Sequence, residues 1–102
     1  MKVIYVAGPY RAKTEIELEN NIKAAEEVAL ILWLKGWAVI CPHKNTAHFG
    51  GAAPDDVWLA GNLELLRRCD AIYMMKGWKW SEGAVAEYKF AKALNIKIVE
   101  EA

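Results

Sequence analysis

Short apolar runs alternate along the chain with longer segments of helical period. The run "KVIYVAG" at residues 2–8 is rich in β-branched and aromatic residues and ends at Gly-Pro, which predicts a buried strand. From Thr14 to Gly36, apolar residues recur three and four positions apart, and Glu17 completes a capping-box signature. The apolar side of this predicted helix consists of Ile22, Ala25, Ala29, Leu32 and Trp33.

Three further apolar runs predict strands, at residues 37–42, 70–75 and 96–100. Strands that alternate with helices favour a parallel sheet with right-handed crossovers and helices on both faces. We therefore predict an α/β three-layer sandwich, flavodoxin-like or Rossmann-like, with four or five parallel strands. Ligands of such sheets bind at the carboxyl ends of the strands.

Two more helices complete this pattern. One is expected to start at Pro54 and to bury Val57, Leu59, Leu63 and Leu66. The other begins after Ser81, a suitable N-cap, and ends before Asn95. Between the second strand and the second helix, residues 43–54 predict a long polar loop of a kind that is often functional.

Composition narrows the function classes. The 102 residues suffice for one domain, 1–102, and 13 basic and 13 acidic side chains give no net charge. This balance indicates no partnership with nucleic acid or a membrane. The start of the chain lacks a signal-peptide layout, so we expect a cytoplasmic protein. The two cysteines show no metal-ligand spacing, and we expect neither a metal nor a cofactor.

The last predicted helix contains an unexpected carboxylate. In "SEGAVAEYKFAKAL" at residues 81–94, one helical stripe is apolar except for Glu87, and it consists of Gly83, Glu87, Phe90, Ala91 and Leu94. A carboxylate that faces a core is unfavourable unless it is paired, hydrogen-bonded or kept for chemistry. Glu87 is either such a functional group or a half-exposed helix residue without a special role.

Common nucleotide and hydrolase motifs are missing. The loop "AGPYRAKT" at residues 7–14 fits neither the dinucleotide-binding G-x-G-x-x-G motif nor a P-loop, and no G-x-S-x-G elbow is present. An NAD enzyme, an NTPase and a serine hydrolase are therefore not indicated.

Four segments in a fixed order carry a family resemblance: "YVAGPYR" at 5–11, "PH" at 42–43, "CDAIYMM" at 69–75 and "WSEGAVAEYKFAKALN" at 80–95. They resemble the nucleoside 2-deoxyribosyltransferase superfamily, and within it the 2'-deoxynucleoside 5'-phosphate N-hydrolases and related short bacterial and phage domains of unassigned function. The resemblance implies cleavage of the N-glycosidic bond of a 2'-deoxynucleoside or its 5'-monophosphate. It also implies a glycosyl ester with the enzyme, resolved by water or by a second base.

The resemblance assigns roles by position. Glu87 matches the nucleophile, and a poorly solvated carboxylate suits that role. Ser81 and Arg11 match residues of the monophosphate hydrolases, and a serine at a helix start and a fork-shaped cation both suit phosphate. The alternatives are a plain N-cap for Ser81 and a solvated loop cation for Arg11.

Further positions are expected to bind or orient the substrate. Tyr5 matches a tyrosine that contacts the catalytic carboxylate, although a strand tyrosine is also a common core residue. Gly8 matches a glycine that admits the sugar, and His43 is either a base contact or a donor that stabilises the loop. Tyr10 and Gly83, within the matching motifs, complete the predicted substrate-binding set with Trp78.

One position departs from the family pattern. Where the family usually has an aspartate that acts on the leaving base, this chain has Asn62, which can donate a hydrogen bond but cannot act as a general acid. Asp55 or Asp56 would then take that role, or turnover is slow, or the domain only binds nucleotides. Of Trp78 and Trp80, one is expected in the pocket and one at a subunit interface.

Three functional hypotheses follow from these observations. The first is an N-glycosidase or deoxyribosyltransferase, the second a module that binds or senses a nucleotide without cleaving it, and the third an interaction domain. The resemblance also implies a homodimer or larger homo-oligomer and a nucleoside or nucleotide as the small-molecule ligand.

Overall fold

The computed structural model describes residues 1–101 and contains four strands and four helices. The strands are β1 (Val3–Ala7), β2 (Ala38–Ile40), β3 (Ala71–Met74) and β4 (Lys97–Glu100). The helices are α1 (Glu15–Leu34), α2 (Pro42–Asn45), α3 (Asp55–Arg67) and α4 (Glu82–Ala93), and a single 3₁₀ turn, Trp78–Trp80, precedes α4. None of the helices within this range combines the length and the apolar character that crossing a membrane requires.

All strands are parallel, in the order β2-β1-β3-β4. This confirms the predicted α/β class and fixes the strand number at four. At the start of the sheet, the Asp70 side chain binds the first strand: its Oδ2 accepts a hydrogen bond from the Val3 N–H at 2.7 Å. The carboxyl ends of β1 and β3 meet at one edge, where the Met75 N–H donates to the Ala7 carbonyl at 2.8 Å.

The alternation of side chains along β1 divides the core into two layers. Tyr5 and Ala7 point to the face covered by α3 and α4, where they pack with Leu66, Ile72 and Met74. Ile4 and Val6 point to the opposite face, which α1 covers with Ala25 and Leu32. The sheet is therefore buried on both faces, as its β-branched and apolar sequence requires.

Helix α1 begins and ends close to the predicted positions. The Thr14 side chain accepts the Glu17 N–H at 3.1 Å, and Gly36 follows the helix at φ +97°, a conformation that favours glycine. The predicted core residues of this helix are buried with one exception. Trp33 is half exposed, because it lies on the flank of the buried stripe instead of at its centre.

The segment between β2 and β3 differs from the prediction in two respects. Pro42 does not simply end a strand but starts α2, consistent with the suitability of proline for a first helical turn, so the predicted loop 43–54 begins with a helix. In α3, Leu66 is fully buried and Leu63 partly, but Val57 and Leu59 are about half exposed. The buried face of α3 is narrower than its apolar composition suggests.

Candidate active site

Helix α4 turns a narrow face toward β1. Its fully buried residues are Ala84 and Ala91, with Glu87 and Tyr88 partly buried between them. The predicted stripe was wrong in part, since Gly83 and Leu94 are exposed. Glu87 lies where the predicted and the observed faces overlap. Small alanines on either side let α4 approach the sheet closely, so the carboxylate enters the layer between α4 and β1.

Glu87 contacts a buried tyrosine in that layer. The Tyr5 hydroxyl, from the middle of β1, donates a hydrogen bond to Oε2 of Glu87. The two residues are 82 positions apart in sequence, and Tyr5 is completely buried. The contact that sequence reasoning expected between these two side chains is therefore present.

Burial changes the titration of both groups. It raises the pKa of Glu87 to about 7, and the hydrogen bond from Tyr5 opposes this rise because it stabilises the charged carboxylate. The pKa of the Tyr5 phenol is raised by its own burial and then by the adjacent negative charge of Glu87. Tyr5 therefore remains a hydrogen-bond donor, while Glu87 can gain or lose a proton near neutral pH.

The loop after β1 is tied to three other elements. Gly8 lies against Met75, and a Cβ at Gly8 would stand 2.6 Å from the Met75 Sδ, so a larger residue would collide there. The Asn21 side chain of α1 donates to the Tyr10 carbonyl at 3.0 Å. Within the protein itself, the space beside Gly8 is taken by Met75.

His43 of α2 makes the third contact that holds the loop after β1. It is 5 % exposed, and its Nε2 lies 2.9 Å from the Pro9 carbonyl oxygen, so Nε2 must carry the proton and donate it. Burial lowers the pKa of the ring, which is therefore neutral, and its buried Nδ1 has no partner among residues 1–101. The Tyr10 ring packs edge-on against it, with 5.5 Å between ring centroids. The structure thus places His43 as a donor that stabilises the loop.

The two predicted phosphate ligands have partners of their own. Arg11 pairs with Asp55 at 2.8 Å, with both side chains largely exposed, so this cation is held at the start of α3. Ser81 is the N-cap of α4, and its Oγ accepts the Ala84 N–H at 3.2 Å. Its hydroxyl hydrogen remains available to a ligand at the rim. Asp55 is the partner of Arg11 in this conformation, and Asp56 beside it is also exposed.

The two tryptophans near the site occupy different environments. Trp78 stacks on Tyr88 of α4 with 4.6 Å between ring centroids, and Lys79 and Lys92 lie near the two rings. Trp80 is 92 % exposed. Trp78 therefore already has an aromatic partner within the chain, and Trp80 is the indole that is free to meet a ligand or another subunit.

Two predicted residues are more peripheral. Asn62 lies partly buried on α3, the helix that packs beside α4. Gly83 lies exposed in the first turn of α4, where an added Cβ would meet nothing within 4 Å. The structure thus brings Tyr5 and Glu87 into contact and gathers Gly8, Tyr10 and His43 in one loop cluster. Arg11 and Ser81 have separate hydrogen-bond partners, Asp55 and the Ala84 N–H.

Sequence reasoning missed four residues that shape this region: Asn21, Met75, Tyr88, and Asp55 as the partner of Arg11. Tyr88 was detectable, since it follows Glu87 in a helix that starts next to Trp78. The other contacts join residues of different elements that are at least 11 positions apart, for which periodicity carries no signal. Over residues 1–101, no three His, Cys, Asp or Glu side chains converge as metal ligands.

Comparisons with known proteins agree with this description. The model of a family described as a domain of unknown function, DUF4406, matches residues 2–100. No curated protein matches the chain significantly.

Three solved structures share the fold. A 2-deoxyribosyltransferase from Bacillus psychrosaccharolyticus is 19 % identical, with a TM-score of 0.74 over 96 % of this chain and 70 % of the other. A 2-desoxiribosyltransferase from Leishmania mexicana is 22 % identical, with a TM-score of 0.71 over 98 % and 63 %. The CMP N-glycosidase BcmB from Clostridium botulinum is 24 % identical, with a TM-score of 0.61 over 97 % and 67 %. The resemblance to the nucleoside 2-deoxyribosyltransferase superfamily is confirmed at the level of the fold. The chain spans about two thirds of the length of these proteins.

Proposed function

We propose that this chain, which belongs to the DUF4406 family, cleaves the N-glycosidic bond of a 2'-deoxynucleoside or its 5'-monophosphate. The observation that carries the proposal is the contact between Tyr5 and Glu87, a partly buried carboxylate with a pKa raised to about 7. Solved proteins of the same fold include a 2-deoxyribosyltransferase and a CMP N-glycosidase, which supports this reaction class.

Glu87 acts as the nucleophile in this proposal. With Oε2 held by Tyr5, Oε1 forms a bond to C1' of the sugar. The bond from C1' to the base nitrogen breaks, and its electron pair leaves with the base, which takes up a proton. Water, or a second base, then attacks C1', releases one proton to solvent and displaces the carboxylate, which returns to its original state.

The environment of Glu87 fits this role physically. A carboxylate that water solvates poorly is a stronger nucleophile than an exposed one, and its pKa near 7 leaves a substantial ionised fraction at neutral pH. The hydrogen bond from Tyr5 stabilises the charged form and fixes the orientation of the carboxylate. The same bond would stabilise Glu87 as it leaves the ester in the second step.

For the leaving base, the chain offers Asn62 on α3 as a hydrogen-bond donor. An amide can hold the base in place but cannot protonate it, so we expect the proton to come from water or from Asp55 or Asp56. The phosphate of a monophosphate substrate would take the Ser81 hydroxyl and the Arg11 guanidinium, and Arg11 would have to leave Asp55. We further propose that the chain acts as a homo-oligomer in the cytoplasm.

A second candidate function is nucleotide binding without cleavage. It is favoured by Asn62, which has no titratable proton to give to a leaving base. Such a module would be stabilised by a nucleotide that it does not consume.

The test measures release of free base from each deoxynucleoside and each deoxynucleoside monophosphate by chromatography, with and without an acceptor base. Wild type is expected to release base from at least one of them, and Glu87→Gln to lower kcat at least about 1,000-fold. Glu82→Gln is the matched control, because Glu82 is an exposed glutamate of the same helix. Absence of base release from every compound, or equal rates in wild type and Glu87→Gln, would refute the catalytic proposal. Thermal stabilisation by an intact nucleotide would then favour the binding module.

A further inference from the structure

Trp58 lies on α3 beside Asn62, the residue proposed to hold the leaving base. It comes four positions before Asn62, so both side chains lie on the same face of the helix, about 6 Å apart along its axis. The first turn of α3 reaches the carboxyl edge of the sheet, because Asp55 in that turn pairs with Arg11 of the loop after β1 at 2.8 Å. Trp58 is thus on the side of Asn62 that is nearer to this edge.

Trp58 is shielded in a part of α3 that is otherwise open to solvent. Among residues 55–61 it is the only one that is not exposed. Within residues 1–101, however, Trp58 packs into neither of the two layers of the core. The fold therefore holds an indole at this position that the core does not require.

Phe49, in the loop between α2 and α3, packs against the Trp58 ring. The two ring centroids lie 5.8 Å apart, with the ring planes inclined by 48°. Two turns hold Phe49 there, since its N–H donates to the Thr46 carbonyl at 3.1 Å and its carbonyl accepts from the Ala52 N–H at 3.0 Å. Phe49 is itself 48 % exposed. Phe49 and Trp58 together form an aromatic wall that is still open to solvent.

The aromatic wall lies on the same face of the sheet as the proposed nucleophile. Helices α3 and α4 pack side by side on the face that carries Tyr5. The loop that carries Phe49 follows β2 and α2, and β2 runs beside β1 with Ile40 opposite Tyr5. Helix α4 brings Glu87 from the side of β3 and β4. A sugar attacked by Glu87 therefore has the aromatic wall on the side of its base if Asn62 holds that base.

We infer that the nucleobase of the substrate stacks on Trp58, and that Phe49 holds the indole in position. This inference rests on the proposed function, since it takes Asn62 as the residue that binds the edge of the base. A base in contact with the Asn62 amide comes within reach of an indole one helical turn away. Stacking contributes affinity for any base, because every base has a π face. Trp78, by contrast, already stacks on Tyr88.

The test is isothermal titration calorimetry of each 2'-deoxynucleoside and each 2'-deoxynucleoside monophosphate with Glu87→Gln, which leaves the ligand intact. In this background, Trp58→Leu is expected to raise the dissociation constant at least about 5-fold, the lower limit for loss of one base–aromatic stack. Trp58→Phe should keep most of the affinity, because a phenyl ring still stacks.

Trp33→Leu is the matched control. Trp33 lies in the last turn of α1, which leads to the start of β2 and therefore lies at the opposite edge of the sheet. Its replacement should leave the dissociation constant unchanged. Circular dichroism verifies that each variant is folded. If Trp58→Leu is not, Phe49→Leu takes its place and should weaken binding by removing the support of the indole.

Three results would overturn the inference. Folded Glu87→Gln could bind none of these compounds. Folded Trp58→Leu, or Phe49→Leu in its place, could bind as tightly as Glu87→Gln alone. Trp58→Phe could weaken binding as much as Trp58→Leu, which would show that the ring does not stack on the base.

Release of base by wild type is a separate measurement, so the two proposals can fail independently. Binding that depends on Trp58 without any release of base would refute cleavage and leave this inference standing. Release of base together with binding that does not depend on Trp58 would refute this inference and leave cleavage standing.

Discussion

At the scale of single residues, the Tyr5 hydroxyl and the burial of Glu87 have opposite effects on the same carboxylate. Burial raises the pKa of Glu87 to about 7, and the hydrogen bond from Tyr5 pulls it down. A nucleophile needs both effects, because a carboxylate must be ionised to attack and must be poorly solvated to be reactive. Tyr5 is thus expected to set the pH at which Glu87 becomes active.

Replacing Tyr5 by phenylalanine tests this balance. Without the phenol donor, the pKa of Glu87 should rise above its present value near 7. The acid limb of the pH–rate profile then moves to higher pH, and kcat at neutral pH falls about 10-fold, equivalent to one hydrogen bond to a charged group of about 1.5 kcal/mol.

The pKa of Glu87 in both proteins can be measured by carbon NMR of the side-chain carboxyl. Tyr73→Phe is the matched control, because Tyr73 lies on the next strand and its side chain points to the other face of the sheet. An unchanged or lower Glu87 pKa in Tyr5→Phe would contradict the role given to Tyr5.

The sequence predicted some of these residues better than others. Glu87 was detectable because a single carboxylate interrupts an apolar helical stripe, and Ser81 because N-cap residues have a local signature. The position of Arg11 was not, because its partner Asp55 lies 44 residues away and an exposed ion pair leaves no periodic pattern. Similarly, only the fold shows that Trp78 stacks on Tyr88 while Trp80 stays exposed.

At the scale of elements, the loop after β1 is fixed by contacts to elements on both sides. Gly8 packs against Met75 after β3, Pro9 accepts from His43 of α2, and the Tyr10 carbonyl accepts from Asn21 of α1. These contacts immobilise the end of the strand that carries Tyr5. The orientation of Tyr5 toward Glu87 thus depends on the packing of this loop.

Gly8→Ala is predicted to disturb the loop. The added Cβ would lie 2.6 Å from the Met75 Sδ and 2.8 Å from its Cβ, so the loop or Met75 must move, and the free energy of unfolding should fall by about 1–3 kcal/mol. Gly61→Ala is the control, because an added Cβ there meets nothing within 4 Å in the middle of α3. That substitution should raise stability by about 0.5–1 kcal/mol. Urea unfolding measures both, and a Gly8→Ala protein as stable as wild type would disprove the close packing.

Helices and strands were predicted where local patterns are strong. Thr14 and Gly36 mark both ends of α1, and the predicted segments include all four strands. The prediction failed at Pro42, because proline both ends strands and starts helices, and local sequence does not distinguish the two. It also failed for Val57 and Leu59, which have apolar side chains but lie off the narrow face by which α3 packs on the sheet.

At the scale of the whole molecule, the buried carboxylate destabilises the fold in its charged form. The pKa of Glu87 is about 7 in the folded chain and 4.5 in the absence of structure, so between these pH values the folded state binds more protons than the unfolded state. Stability contributed by this group is therefore present at low pH and is lost as pH rises from about 4.5 to 7. The charged Glu87 therefore lowers the free energy of unfolding at the position that we propose for catalysis.

Glu87→Gln should reverse this effect. The amide cannot ionise, and its oxygen can still accept from Tyr5, so the variant should be more stable than wild type at pH 8 by about 1–3 kcal/mol. At pH 4 the two proteins should be nearly equal. Urea unfolding at both pH values measures the difference in free energy of unfolding between the two proteins. Other titrating groups such as His43 are the same in both, so their contributions cancel in this difference. A variant that is less stable than wild type at pH 8 would show that the charged carboxylate is not penalised by burial.

The central claim is that Glu87 forms a covalent ester with a deoxyribosyl group, and mass spectrometry of the digested protein tests it most directly. The protein is incubated with a 2'-fluorinated deoxynucleoside monophosphate, in which the electronegative fluorine slows breakdown of the ester, then quenched with acid and digested. We predict that the mass of one fluorinated sugar phosphate appears on the peptide that contains Glu87, and that it is absent in Glu87→Gln. Release of base by wild type without this adduct, or an adduct on another residue, would contradict the claim.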